Sequence, residues 1–270
     1  HNFFPLLSPS IYDACADSNT PLVQTLHNFR TLCAGGLLLR DGAICEDCLH
    51  GSTIQAVVHR CYRGSVLGSM AVARMISLHR KKETWGRKIN RIIALTEFAK
   101  NKFVEAGMPA EKIFVKPNFV VDSHEDARGP SPPRRGALFV GRLSEEKGIS
   151  TLVNAWRHLD IPLMVAGDGP LQTQFDGLDQ NRVTLLGRLD RTAVLRTMRQ
   201  AEFLVLPSEC YEGFPLVLAE AFMSELPVVA SRLGSMAEIV DDGLTGRLFQ
   251  AGNPEDLANT VRWMHAHPEQ

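Results

Sequence analysis

Two pairs of charged residues frame the chemistry open to this sequence. Arg142 and Lys147 lie five positions apart in "GRLSEEKG", a turn bounded by Gly141 and Gly148. A planar guanidinium and a compact ammonium at a helix start suit a diphosphate. Such a site gains most when the diphosphate is leaving and its charge is growing. The competing reading is a solvated turn whose cations merely balance Glu145 and Glu146. The second pair is Glu212 and Glu220, one at each end of the apolar run in "CYEGFPLVLAEAF". Glu212 suits a hydroxyl pair of a sugar, and Glu220, two turns on, a ribose. A carboxylate accepting such hydrogen bonds contributes about 1.5–3 kcal/mol. The amides of Phe214, Leu216 and Val217, beside Gly213, would face the same ligand, while Pro215 has none to offer. Chance placement of two acids on a solvated helix face is the alternative.

The elements that must position these residues are legible in the pattern. Short apolar runs at "ALFVG" (137–141), "PLMVAG" (162–167), "RVTLLG" (182–187), "FLVLPS" (203–208) and "PVVAS" (227–231) read as strands. Between them "STLVNAWRHL", "TAVLRTMRQA" and "LVLAEAFMS" follow the helical period. Asp190 and the stretch from Asn253 to Asp256 read as helix starts. Near-continuous apolar strands alternating with helices imply a parallel sheet covered on both faces, a Rossmann-like domain. In such sheets ligands sit outside the carboxyl ends of the strands. "GRLSEEKG", "GDGP" (167–170) and the loop holding Glu212 are all placed there. Before residue 123, strands are expected at "PLVQTL" (21–26), "RIIALT" (91–96) and "KIFVKP" (112–117), with a helix over "EFAKNKFVEAG". Ser8 and Pro9 suit the cap and first turn of another helix. "SHEDARGPSPPRRG" (123–136) cannot continue either kind of element and reads as the domain break.

The 270 residues suffice for two domains, and 44% hydrophobic with 22% charged content is that of a globular protein. A formal net charge of −1 provides no overall field for nucleic acid. No apolar run approaches the roughly 18 residues of a membrane span.

Taken as a set, "VGRLSEEKG", "AGDGP", "LPSECYEGFPLVLAEAF" and "GSMAEIVDDGLTGRLF" resemble family 4 glycosyltransferases of the GT-B fold. The resemblance covers the whole second half. It implies two Rossmann-like domains with a cleft between them and a retaining, metal-independent transfer from a nucleoside-diphosphate sugar. By the same resemblance Gly141, Arg142 and Lys147 hold the donor diphosphate, Glu212 with Gly213 to Val217 the sugar, and Glu220 the ribose. The loop Gly187-Arg188-Leu189 would lie against the base. The absence of any Asp-x-Asp pair accords with protein cations replacing a metal, and no metal ligand is expected in the donor site. Glu225 and Phe119 stand where the family often has Gly.

"TLHNFRTLCAGGLLLRDGAICEDCL" resembles a subset of that family and implies that His27 lies near the anomeric centre; a histidine satisfied by backbone at a strand end is the plainer reading. Cys33, Cys45, Cys48 and Cys61 form a Cys-x11-Cys-x2-Cys-x12-Cys array, with His50 and His59 close by. It suits either a structural zinc or reduced thiols packed in a loop. From Arg74 to Arg91, seven basic residues face Glu83 alone. Such a stretch suits an anionic or lipid-linked acceptor, or simply a solvated helix face.

These readings place an acceptor-side domain at 1–125, a linker at 126–136 and a nucleotide-sugar domain at 137–270. By comparison with the family pattern, the first strand and the closing helices would lie beyond this chain, which leaves the first domain incomplete. The expected function is sugar transfer to an acceptor hydroxyl in polysaccharide or glycolipid synthesis, with no bound cofactor beyond the donor substrate. Cysteine usage favours a reducing cytoplasm, and the basic stretch allows peripheral contact at the inner membrane face. Two alternatives stay open: a GT-B sugar-nucleotide epimerase, and a nucleotide-binding or zinc-stabilised module without turnover.

Overall fold

The computed structural model describes residues 1, 7–121 and 133–268. They form two compact units, His1–Pro117 with Tyr211–Phe214, and Asn118–Cys210 with Pro215–Gln270. Of the break expected at 126–136, residues 126–132 lie outside the described residues.

The first unit runs α1 (Ser10–Asp17), β1 (Val23–Thr25), β2 (Leu39–Arg40), β3 (Ala43–Ile44), α2 (Asp47–His50), α3 (Ile54–Val58), α4 (Val66–Lys81), α5 (Thr84–Arg87), β4 (Arg91–Ala94), α6 (Glu97–Glu105) and β5 (Ile113–Val115). Strands β1, β4 and β5 form a parallel sheet in the order β1-β4-β5, and β2 and β3 form a small antiparallel hairpin. Ser65 caps α4 by accepting from the Gly68 amide, and Thr96 caps α6 by accepting from that of Ala99. The core gathers Tyr12, Phe29, Trp85, Ile92, Phe103 and Ile113. One start differs from expectation. Pro9 is itself the residue before α1, and Ser8 spends its hydroxyl on the Ser10 amide. The basic stretch from Arg74 is largely engaged within this unit. Arg80 donates to the carbonyls of Cys48 and Gly51, Arg87 pairs with Glu83, Lys88 with Asp13, and Arg91 stacks over Phe114.

The second unit runs β6 (Ala137–Val140), α7 (Ile149–Trp156), β7 (Leu163–Ala166), β8 (Val183–Gly187), α8 (Arg191–Met198), β9 (Phe203–Leu206), α9 (Leu216–Met223), β10 (Val228–Ser231), α10 (Gly234–Ile239), β11 (Gly246–Phe249) and α11 (Pro254–Ala266). All six strands are parallel, in the order β11-β10-β9-β6-β7-β8. Counted from β6, this is the 3-2-1-4-5-6 order of the doubly wound dinucleotide fold. The sixth strand, Gly246–Phe249, is one the run-by-run sequence reading does not pick out. Alternating residues sort into two cores. Phe139, Val165, Val205 and Val229 pack on one face of the sheet, and Leu138, Ala166, Leu204 and Ala230 on the other. Asp190 caps α8 through the Ala193 amide, and Asn253 caps α11 through those of Glu255 and Asp256, as their positions imply.

At the end of α9 the Leu226 amide reaches the Ala221 carbonyl and the Glu225 amide reaches that of Phe222. This is a Schellman stop, which wants a left-handed residue at Glu225. Glu225 takes it, at φ 51°. The departure from Gly noted in the sequence therefore leaves the turn's geometry intact and adds backbone strain.

Candidate functional site

In this strand order the direction of winding reverses between β6 and β9, which puts the ligand crevice at their carboxyl ends. The loop leaving β6 carries Arg142 and Lys147. It is fastened on both sides. Towards β7, the Gly141 amide donates to Ala166, and the Leu143 amide to Asp168. Towards β9, the Glu209 amide donates to the Glu146 carbonyl. One strand further, the Gly167 amide donates to the Gly187 carbonyl. The ends of β6, β7 and β8 are thus laced edge to edge by backbone hydrogen bonds.

Two glycines permit this close approach. At Gly148, φ is 68°, and a Cβ would overlap the Pro207 carbonyl oxygen beyond β9. At Gly167, a Cβ would overlap the Gly141 carbonyl oxygen. The "GDGP" turn, weak as a motif by itself, is the backbone support beneath the Arg142 loop. Within that loop Ser144 donates to the Glu146 carboxylate, at 2.7 Å. Glu146 is therefore already engaged beside the cations. Arg142 is exposed and Lys147 half-buried.

Glu220 lies in the second turn of α9. Its carboxylate is 3.4 Å from the Arg191 guanidinium at the first residue of α8, and its side chain is 16% exposed. Burial raises the Glu220 carboxyl above its ordinary pKa, while Arg191 pulls against that shift. Arg191 is a neighbour that sequence reasoning missed. Its position two residues after Gly187-Arg188-Leu189 was the available signal. That loop emerges from β8 with Gly187 at φ 64°, Arg188 exposed and Leu189 packed on the second core. Leu216 and Val217 open α9, with Pro215 before them.

The remaining candidates belong to the first unit. His27 follows β1, whose extension is marked by the Leu26 amide donating to Ile93. Its Nε2 is 2.6 Å from His1 Nδ1, and burial lowers its pKa, which favours the neutral imidazole. Gly213 lies against His27, since a Cβ there would be 2.9 Å from the His27 carbonyl oxygen. Glu212 and Phe214 flank that glycine, and Tyr211 packs its ring on Phe29 and Phe98.

A concavity of about 740 Å³ in the second unit lies elsewhere. It opens by Phe203, Pro227 and Thr245, at the amino ends of β9, β10 and β11, away from the loops described above. Volume alone would misplace the site. Topology and polar groups make the opposite edge the candidate. Among the described residues, the group whose potential metal-ligand atoms fall within 4.8 Å of one another is Glu46, His50 and Glu105, in the first unit. Lys102 pairs with both acids at 2.9 Å and already balances them. No described helix is long and apolar enough to cross a membrane.

Residues 134–267 match the family model described as glycosyl transferases group 1. Over 191 residues, 66% of this chain and 50% of the relative, the sequence is 35% identical to the phosphatidyl-myo-inositol mannosyltransferase of Mycobacterium leprae. It is 27% identical to the alpha-D-kanosaminyltransferase of Streptomyces kanamyceticus, covering 68% of this chain and 53% of that protein. The chain thus spans about half the length of these relatives. Anabaena HepE, solved in complex with UDP-glucose, superposes with a TM-score of 0.68 at 21% identity, over 96% of this chain and 66% of its own. That likeness establishes the fold, GT-B with Rossmann-like units.

Proposed function

The chain belongs to the group 1 glycosyl transferases, and from that premise we propose that the whole protein moves a sugar from a nucleoside-diphosphate donor to an acceptor hydroxyl in glycan synthesis, with retention at the anomeric carbon. The observation that carries this reading is the Arg142–Lys147 loop, fastened by backbone bonds at the winding reversal of a six-stranded parallel sheet. Fixed cations at that edge stabilise a diphosphate whose charge grows as the glycosidic bond breaks, without reorganising. Glu220 orients the ribose, the loop Gly187–Leu189 carries the base, and Glu212 with the amides of Gly213, Phe214, Leu216 and Val217 holds the sugar. His27 belongs to the same chemistry as a neutral hydrogen-bonding group near the anomeric centre. The domain limits 1–125 and 137–270 go with this assignment.

The donor nucleotide is supported by the UDP-glucose bound to Anabaena HepE. A lipid-linked acceptor, met at the cytoplasmic face of a membrane, is supported by the relative named for phosphatidyl-myo-inositol. Exposed apolar side chains at Ile54, Val58, Leu67 and Met70, with Arg63 and Arg74 among them, suit such a surface.

The test is calorimetric titration of UDP, GDP and ADP into this chain, followed by the monophosphate of whichever binds. Arg142→Ala and Lys147→Ala are expected to weaken the diphosphate far more than the monophosphate. In a full-length protein each should cost about 3 kcal/mol in the transition state. Equal loss of both nucleotides, or unchanged turnover, would overturn the diphosphate role.

A further inference from the structure

The segment from Phe29 to Ser65 poses a stability problem. It contains two-residue strands, a four-residue helix and a five-residue helix, none able to hold itself together. Four of its non-glycine residues, Leu38, Asp41, Arg60 and Arg63, sit at positive φ between 51° and 54°. Strain of this kind persists where surrounding structure over-determines it. Phe29, Leu32, Cys33, Leu38 and Leu49 anchor the segment to the main core of the unit, while the cluster under its helices is small, with six buried residues.

The same segment carries four cysteines around that cluster, although no three of their sulfurs lie within 4.8 Å of one another. Cys48 and Cys61 share that small cluster, and Cys33 borders it beside buried Ala34. Gly35 separates two of the strands of chain. A point one Cβ length from it is 3.6 Å from Cys33 Sγ and 3.5 Å from the Cys61 carbonyl oxygen. Ala56 lies between the other two, its carbonyl accepting from the Cys61 amide while its own amide donates to the Thr53 carbonyl. Cys45 stands at the base of the β2–β3 hairpin, its amide bonded to Leu38. None of the four is in a disulfide. Two cations border the group, Arg30 beside Cys33 and Arg40 beside Cys45 and Cys61.

We propose that Cys33, Cys45, Cys48 and Cys61 form a structural zinc site that pins the segment following His27. One Zn²⁺ forms four Zn–S bonds, four thiol protons leave to solvent, and no group is oxidised or reduced. The resulting double negative charge would lie near Arg30 and near Arg40, which also pairs with Asp47 at 2.7 Å. Closing the sulfurs on the ion requires rotation of cysteine side chains between staggered rotamers. The cluster of Glu46, His50 and Glu105 is the weaker candidate, because a cation there must displace the Lys102 ammonium.

The 270-residue chain, purified without chelator, is expected to carry one zinc by native mass spectrometry and elemental analysis. Cys45→Ser/Cys48→Ser should lose it, while Glu46→Gln/His50→Gln should keep it. Because the cysteine variant could fail to fold, alkylation of the unmutated chain gives an independent reading. Cys33, Cys45, Cys48 and Cys61 should be protected from iodoacetamide until a strong chelator is added, with Cys15 unaffected by the chelator. Cobalt(II) taken up in place of zinc should show the spectrum of a tetrahedral thiolate site. The proposal is overturned if the chain holds no metal and gains no thiol protection from one equivalent of zinc. It is equally overturned if zinc survives the cysteine substitutions and leaves with Glu46 and His50.

Discussion

Replacing Glu220 by glutamine separates what this acid does for the fold from what it does for a ligand. The side chain is 16% exposed, and its ion-pair partner Arg191, 3.4 Å away, is itself 51% exposed. A pair so open to solvent contributes about 0.2–1 kcal/mol. Burial outweighs it and raises the folded-state pKa. A carboxyl with a raised folded pKa contributes stability that is complete below its unfolded pKa and lost as pH rises through the folded one. Glutamine stays neutral throughout and so retains at neutral pH what the carboxylate gives up. Glu220→Gln should therefore be at least as stable as the unmutated chain in urea at neutral pH. The difference should close as pH falls through the carboxylate range. Binding should move the opposite way. Losing a charged acceptor for ribose hydroxyls costs about 1.5–3 kcal/mol, or roughly a 10- to 100-fold rise in the Kd of the bound nucleotide. An unchanged Kd would refute the ribose role. A loss of stability at neutral pH larger than the exposed ion pair can supply would refute the burial account.

Two further substitutions probe the backbone beneath the site. Gly148→Ala places a Cβ on the Pro207 carbonyl and forces alanine to φ 68°, so a loss of at least about 1–2 kcal/mol is expected in urea denaturation, with weaker nucleotide binding. Glu225→Gly relieves the left-handed residue of the Schellman stop, and a gain of about 0.5–1 kcal/mol should appear in the same assay with nucleotide affinity unchanged.

What lies close in sequence was legible there. Apolar runs marked five of the six strands in the second unit and all three of the parallel sheet in the first, because strand and helix periods are local properties. The caps at Asp190 and Asn253 were readable for the same reason, since each side chain reaches amides only two or three residues on. Arg142, Lys147, Glu212 and Glu220 stood out by type and spacing, and the family resemblance by motif order. Ser8 and Pro9 were misread by one residue, because cap and first-turn preferences overlap at Pro. β11 went unnamed because its four residues carry Gly246 and Arg247 in place of a continuous apolar run.

Tertiary structure alone decided the strand order and the winding reversal that selects one edge of the sheet. It also joined Gly141 to Ala166 and Gly167 to Gly187, turning an undistinguished "GDGP" into the support of the cation loop. The Arg191–Glu220 pair, the seat of Gly213 against His27 and the placing of four cysteines around one small cluster are of this kind. Each joins residues remote along the chain. Local preference is silent about such partners, because strand pairing and close backbone approach are fixed only when the whole core packs.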